Sequence, residues 1–184
     1  MSDAMNSVTE PKEKFLRLAV GQVKPSKPKC MLSSLTQLRN LAIEAKNSNS
    51  DVLILPELFL GGGYILHDID KRAITSQSSE MKEAQKVAKE SGVSLIFGYA
   101  ETSGDLDKTI GSDTCVTFNS SVCIEGRSGN ILHNYRKTNF FGNDEKRAFV
   151  PGNDLGCGRG AQAERQMRGT KSNMRIPIKT KHAP

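Results

Sequence analysis

The sequence predicts an α/β fold in which the early strands are parallel. Short apolar runs that are typical of buried strands alternate with helical stretches, and a turn-linked pair of strands follows the last helix. The order strand, helix, strand, helix, strand is typical of a sheet whose strands are joined by crossover helices. We therefore expect helices to cover at least one face of the sheet.

The first half of the chain supplies two strand-helix units. Residues 15–23 (FLRLAVGQV) alternate in hydropathy as a strand does, and apolar residues within 31–45 recur every three or four positions, as on one face of a helix. The run VLIL at 52–55 is short and continuously apolar, which favours a strand covered on both faces. A second helix is predicted over 79–92, which begins with a serine and ends with a glycine.

The second half adds one strand and a hairpin. The run VSLIFGYAE at 93–101 predicts a third strand, and GDLDKTIGSD at 104–113 predicts a loop. Two further strands, CVTFNSSVCIE at 115–125 and ILHNYRKT at 131–138, are joined by the turn GRSGN. We expect them to pair as a hairpin after the parallel strands.

The net charge of +6 is confined to the end of the chain. Residues 156–184 contain seven of the 26 Lys and Arg residues but one of the 20 Asp and Glu residues, which leaves 19 of each before them. The neutral body is not typical of a nucleic-acid binder. A nucleic-acid-binding arm is the alternative for the tail, but the tail has no aromatic residue to stack on bases. We expect a disordered N-terminus at 1–14, a folded domain at 15–155 and a basic, disordered tail at 156–184.

Composition gives no indication of a cofactor or a membrane anchor. The four cysteines have no CxxC spacing and no neighbouring histidine pattern, so neither a metal site nor a disulfide framework is predicted. The glycines at 61–63 lack the Lys-Ser/Thr of a phosphate loop. The first 14 residues are polar, and no apolar run approaches a membrane span. We expect a cytoplasmic protein without cofactor, nucleic-acid partner or membrane partner.

Two predicted strand ends carry charged residues that could perform chemistry. Glu57 follows VLILP directly, and sites in open α/β sheets collect at the carboxyl ends of strands. Lys137 ends the last predicted strand, with Arg136 alternating to the opposite face, and Glu145 comes eight residues later. A carboxylate in a crevice can act as a base, and a lysine can stabilise charge on a carbonyl oxygen. A solvated loop acid and a surface cation are the alternatives.

Three stretches resemble the nitrilase superfamily of carbon–nitrogen hydrolases over about residues 15–155: DVLILPE, NSSVCIEGRSGNILHNYRKTNFF and the later E…FVPG. The resemblance implies an α-β-β-α sandwich and the hydrolysis of non-peptide carbon–nitrogen bonds in small amides or nitriles by a Glu-Lys-Cys triad, without metal. It implies that Glu57 is the general base, Lys137 the oxyanion stabiliser and Glu145 an additional acid.

The nucleophilic cysteine that the resemblance implies should follow a later apolar strand, and nothing after Leu155 fits that pattern. Cys157 lies between glycines, and Cys30, Cys115 and Cys123 precede or lie in segments assigned to packing. We therefore expect the N-terminal half of the sandwich followed by an unrelated tail, with apolar sheet surface left uncovered. Two hypotheses stay open: an inactive fragment of a hydrolase, and a catalytically dead regulatory or oligomerisation partner of an intact homologue.

Overall fold

A computed structural model describes residues 15–24, 31–61, 63–64, 66–103 and 116–153. The predicted disordered regions and the predicted loop at 104–113 lie outside these residues. The elements in chain order are β1 (Leu18–Val20), α1 (Met31–Asn47), β2 (Val52–Ile54), a short 3-10 helix (Ile69–Arg72), α2 (Ser79–Ser91), β3 (Ser94–Thr102), β4 (Thr117–Ile124), β5 (Ile131–Arg136) and α3 (Gly142–Ala148).

The five strands form one sheet in the order β1-β2-β3-β4-β5. The first three strands are parallel, with Leu53 of β2 paired to Ala19 of β1 and to Leu95 of β3. Strand β4 is antiparallel to both β3 and β5, and β4 and β5 form a hairpin. The predicted α/β class, the parallel early strands and the terminal hairpin are confirmed.

Helix α2 has the boundaries that the sequence predicts because both ends are capped. The Ser78 hydroxyl accepts a hydrogen bond from the backbone amide of Met81 at 3.1 Å. Gly92 has a φ of 74°, the left-handed conformation that ends many helices. The buried side chains are those of the predicted apolar face: Met81, Ala84, Val87 and Ala88.

The main core lies between one face of the sheet and helices α1 and α2. We call this the helix face; its strand residues in the core are Leu53, Leu95, Phe97, Tyr99, Val122 and Ile124. Helix α1 contributes Leu38, Ala42 and Ala45 to the same cluster. Each large apolar side chain buried in this way contributes about 1.5–3 kcal/mol to the stability of the fold. Because side chains alternate along a strand, the intervening residues form the opposite face, which we call the site face.

The backbone after β2 crosses closely over β3 at Gly98. The Gly98 amide donates to the Pro56 carbonyl at 3.1 Å, and the Leu60 amide donates to the Gly98 carbonyl at 3.0 Å. A Cβ atom at position 98 would lie 2.4 Å from the Leu58 backbone nitrogen and 2.7 Å from the Glu57 Cα. The absence of a side chain on Gly98 is therefore what allows Glu57 to lie on the site face.

We predict that Gly98→Ala destabilises the protein by about 3 kcal/mol, the upper end of the usual cost of overpacking, because backbone atoms at 57 and 58 cannot rotate away from the new methyl group. Chemical denaturation measures this loss. Gly92→Ala is the matched control, since the space around Gly92 is open and only its left-handed backbone conformation costs energy, about 1 kcal/mol. An equal loss in the two variants would contradict the steric explanation.

Candidate active site

Glu57, Lys137 and Glu145 meet at one end of the site face. The Lys137 ammonium lies 2.8 Å from Glu57 Oε1 and 2.8 Å from Glu145 Oε1. It donates a hydrogen bond to each carboxylate, although Glu57 and Lys137 are 80 residues apart in the chain. The structure thus brings all three sequence-predicted site residues together.

Backbone hydrogen bonds hold Lys137 on both sides. Its amide donates to the Asn119 carbonyl of β4 at 2.8 Å, and its carbonyl accepts from the Gly152 amide at 3.0 Å. The segment at Gly152 passes so closely that a Cβ atom there would lie 2.4 Å from the Arg136 carbonyl oxygen. Lys137 is therefore fixed between β4 and the segment that follows α3.

Helix α3 carries Glu145, whose residue is 0% exposed. The carboxylate reaches back to the start of the helix, where the Phe141 amide donates to its Oε2 at 2.6 Å. The sequence reasoning identified this segment as charged and missed the helix. Acidic residues in its first turn and basic residues in its last turn are the pattern that could have revealed it.

The contacts at this cluster stabilise the charged forms of Lys137 and Glu145. Desolvation would lower the pKa of Lys137, but the hydrogen bonds to Glu145 and Glu57 outweigh this effect and raise that pKa. Burial would raise the pKa of Glu145, but the hydrogen bonds from Lys137 and from the Phe141 amide hold that pKa below its usual range. At neutral pH Lys137 is a cation and Glu145 an anion.

Two residues that the sequence reasoning missed contact this cluster. The Asn119 side-chain amide donates to Glu57 Oε1 at 2.7 Å, and Tyr64 interacts with Glu145 through its hydroxyl. Asn119 is 4% exposed, so its amide orients Glu57 from within the sheet. Nothing local in the sequence identifies a partner 62 residues away for Asn119.

A cavity of about 380 Å³ adjoins the cluster. It is lined by Leu55, Glu57, Gly98, Asn119, Ser120, Ser121, Tyr135, Lys137 and Asn139. Its volume and mixed lining are those of a small-molecule site. A larger depression of about 680 Å³ lies beside α3 and shares none of these lining residues.

A family model described as carbon-nitrogen hydrolase matches residues 17–167. The chain belongs to the carbon–nitrogen hydrolase family. Among curated proteins, "Hydrolase in pqqF 5'region" from Pseudomonas protegens is 30% identical over 142 residues, which are 77% of this chain and 45% of that protein.

Solved structures share the fold of this chain. The amidase from Nesterenkonia sp. AN1 has a TM-score of 0.61 at 21% identity, over 76% of this chain and 51% of that one. A variant of that amidase in complex with butyramide has a TM-score of 0.62 at 21% identity, over 78% and 51%. The predicted nitrilase-type α/β fold class is confirmed, and the chain spans about half the length of these relatives.

Of the four cysteines in this chain, Cys123 lies within the described residues and the other three lie outside them. Cys123 is half-buried on β4, and burial raises the pKa of its thiol. It does not line the cavity beside Glu57. The described ranges contain no group of three or more residues that could hold a metal ion, and no helix within them is long and apolar enough to cross a membrane.

We predict that Glu145→Gln makes the free energy of unfolding less dependent on pH in the acidic range. Because the folded-state pKa of Glu145 is lowered, the carboxylate stabilises the fold above its usual pKa of about 4.5, and this contribution is lost as the pH falls through the lower folded-state value. The stability difference between wild type and Glu145→Gln should therefore be largest near pH 7 and shrink toward pH 3, as measured by denaturation at each pH. The exposed neighbour provides the control variant, Asp144→Asn, whose difference from wild type should stay small throughout. Parallel profiles for wild type and Glu145→Gln would contradict the prediction.

Proposed function

We propose that this site hydrolyses carbon–nitrogen bonds of small amides, with Glu57 as general base and Lys137 as oxyanion stabiliser. The observation that carries the proposal is the continuous contact from Glu57 through Lys137 to Glu145, with both distances at 2.8 Å. An amide carbonyl is a poor electrophile, so its hydrolysis needs an activated nucleophile, a base and a cation that faces the developing oxyanion. The cluster supplies the base and the cation.

Hydrogen-bond geometry supports different roles for the two carboxylate oxygens of Glu57. Oε1 accepts from both Lys137 and Asn119, which fixes the carboxylate. Oε2 has no donor among the residues that the structure describes, so it can take the proton of a thiol, pass that proton to the leaving amine and later activate water. The Lys137 ammonium has three protons and directs two of them to carboxylates. Its third proton can face the oxyanion.

The substrate class rests on the relatives and on the cavity. The structural neighbour that binds butyramide is an amidase, and a cavity of about 380 Å³ accommodates a small aliphatic amide. Ser121 and Asn139 add polar groups to its lining, as hydrogen bonding to an amide requires. A nitrile, which would use the same base and cation, is the second substrate class.

In this proposal the nucleophilic thiol comes from another chain, because none of the four cysteines of this chain follows a later apolar strand as the resemblance requires. Cys123 is unsuited to the role because burial raises the pKa of its thiol, and the thiolate is the reactive form. We therefore propose that the 184-residue chain alone does not turn over amides. Ammonia release from butyramide that a thiol-blocking reagent abolishes would contradict this part of the proposal.

A chimera tests the chemistry of the site. Residues 15–153 would be joined to the part of the Pseudomonas relative that follows its matched region, and ammonia release from butyramide would be measured. We expect Glu57→Gln to lower kcat by about 10²–10⁴-fold, the usual contribution of a general base. Lys137→Ala should lower it by about 10²–10³-fold, the scale of a lost oxyanion donor.

Glu83→Gln is the matched control for the chimera, because Glu83 pairs with Arg39 on the surface of α1 and α2, away from the cavity. Its kcat should match that of the parent chimera. Near-parental turnover in Glu57→Gln would remove this residue from the site. A chimera that folds cooperatively but releases no ammonia would contradict the proposed function.

A regulatory or oligomerisation partner is the second candidate, because apolar side chains of β1 lie exposed. Val20 is 73% exposed and Leu18 is 51% exposed, and both lie on the site face by their pairing with β2. Contact with an intact homologue would bury them. Failure to co-purify with any co-expressed intact homologue would count against this role.

A further inference from the structure

An ion pair between the buried carboxylate of Glu101 and the partly exposed guanidinium of Arg136 lies on the helix face, directly behind the lysine. Glu101 of β3 is 5% exposed, and its carboxylate receives both arms of the Arg136 guanidinium, at 2.8 Å and 3.1 Å. The Ser120 hydroxyl and the Asn134 amide also donate to Glu101 Oε2, at 2.6 Å and 2.9 Å. The guanidinium lies over the Phe118 ring, 3.9 Å from its centroid. The two-pronged contact and the ring together fix the orientation of Arg136.

Stability alone does not explain this arrangement. Removing a carboxylate such as that of Glu101 from water is costly, and replacing buried ionic groups by well-packed apolar residues is often neutral or stabilising. Burial would raise the pKa of Glu101, but the hydrogen bonds from Arg136, Ser120 and Asn134 lower it. The carboxylate is therefore kept charged inside the sheet. The ion pair holds Arg136 in a defined position.

The position of Arg136 acts together with the backbone hydrogen bonds of Lys137 to determine where the lysine side chain lies. Neighbouring residues of a strand point to opposite faces, so a guanidinium held on the helix face directs the Lys137 side chain to the site face. Strand β5 is at the edge of the sheet, and its pairing with β4 shifts register at Cys123 and Ile124. The hairpin turn therefore does not by itself align the far end of β5. The ion pair holds Arg136 opposite Ser120 at that end.

We infer that Glu101 is a positioning residue for the proposed hydrolase, one that acts through Arg136 to hold the Lys137 ammonium between Glu57 and Glu145. The inference rests on the proposed function of Lys137. Glu101 itself lies on the opposite face from the cavity and does not line it. Loss of its charge should release Lys137 from the two carboxylates without removing either of them.

Trace acetylation of the intact 184-residue chain tests the inference, with the extent of labelling at each lysine measured by peptide mass spectrometry across pH 8–11. In Glu101→Gln we expect the labelling rate of Lys137 at pH 9 to rise by about threefold or more, because a lysine away from its carboxylates holds its proton less tightly. Lys71, which pairs with Asp68 at 3.0 Å, is the internal reference and should label unchanged. Glu90→Gln removes another carboxylate that pairs with an arginine and should leave Lys137 unchanged.

Unchanged labelling of Lys137 in folded Glu101→Gln would overturn the inference. If that variant does not fold, Arg136→Lys provides the same test, because it keeps the charge on an edge strand but loses the two-pronged contact, and it should accelerate Lys137 labelling in the same direction. Unfolding of both variants would assign the pair to stability and also overturn the inference. Because labelling needs no turnover, an inactive chimera would count against the proposed function and would leave this result standing.

Discussion

The site depends on one cation shared by two carboxylates. Lys137 joins a residue that follows β2, Glu57, to a residue of α3, Glu145, so a single ammonium links three segments that are distant in the chain. A lone buried carboxylate such as Glu145 would be costly, and the lysine offsets that cost. The same contact keeps the lysine charged. Removing Lys137 would leave the buried Glu145 carboxylate without the cation that offsets its charge.

Two glycines allow the segments that carry these charged residues to approach one another closely. Gly98 lets the backbone of Glu57 cross β3, and Gly152 lets the segment after α3 approach Arg136. Neither glycine needs unusual backbone freedom for this purpose; each provides space. The polar contacts of the site are therefore built on close backbone packing, in which a single added methyl group would move a charged side chain by more than a hydrogen bond tolerates.

The sequence predicts some features of the fold and of the site and does not predict others. The order of elements along the chain and the boundaries of α2 follow from hydropathy and from capping residues. Glu57 and Lys137 follow from the rule that sites lie at strand ends, and Glu145 follows from the family resemblance. Asn119 and the pairing of Glu101 with Arg136 do not, because a polar residue on a strand has no local feature that distinguishes a buried hydrogen bond from solvent exposure. Helix α3 was missed because seven residues with few apolar side chains carry little periodicity.

Because side chains alternate along β3, β4 and β5, core packing constrains the residues on one face of the sheet and the shape of the cavity constrains those on the other. Residues such as Phe97 and Val122 belong to the core on one face, and Gly98 and Ser121, their neighbours in the chain, border the cavity on the other. Substitutions that reshape the cavity need not disturb the packing of the helices, and substitutions that repack the core need not alter the cavity. In a sheet of this kind, substitutions on one face can change which molecules the cavity accepts while the core residues on the other face vary independently.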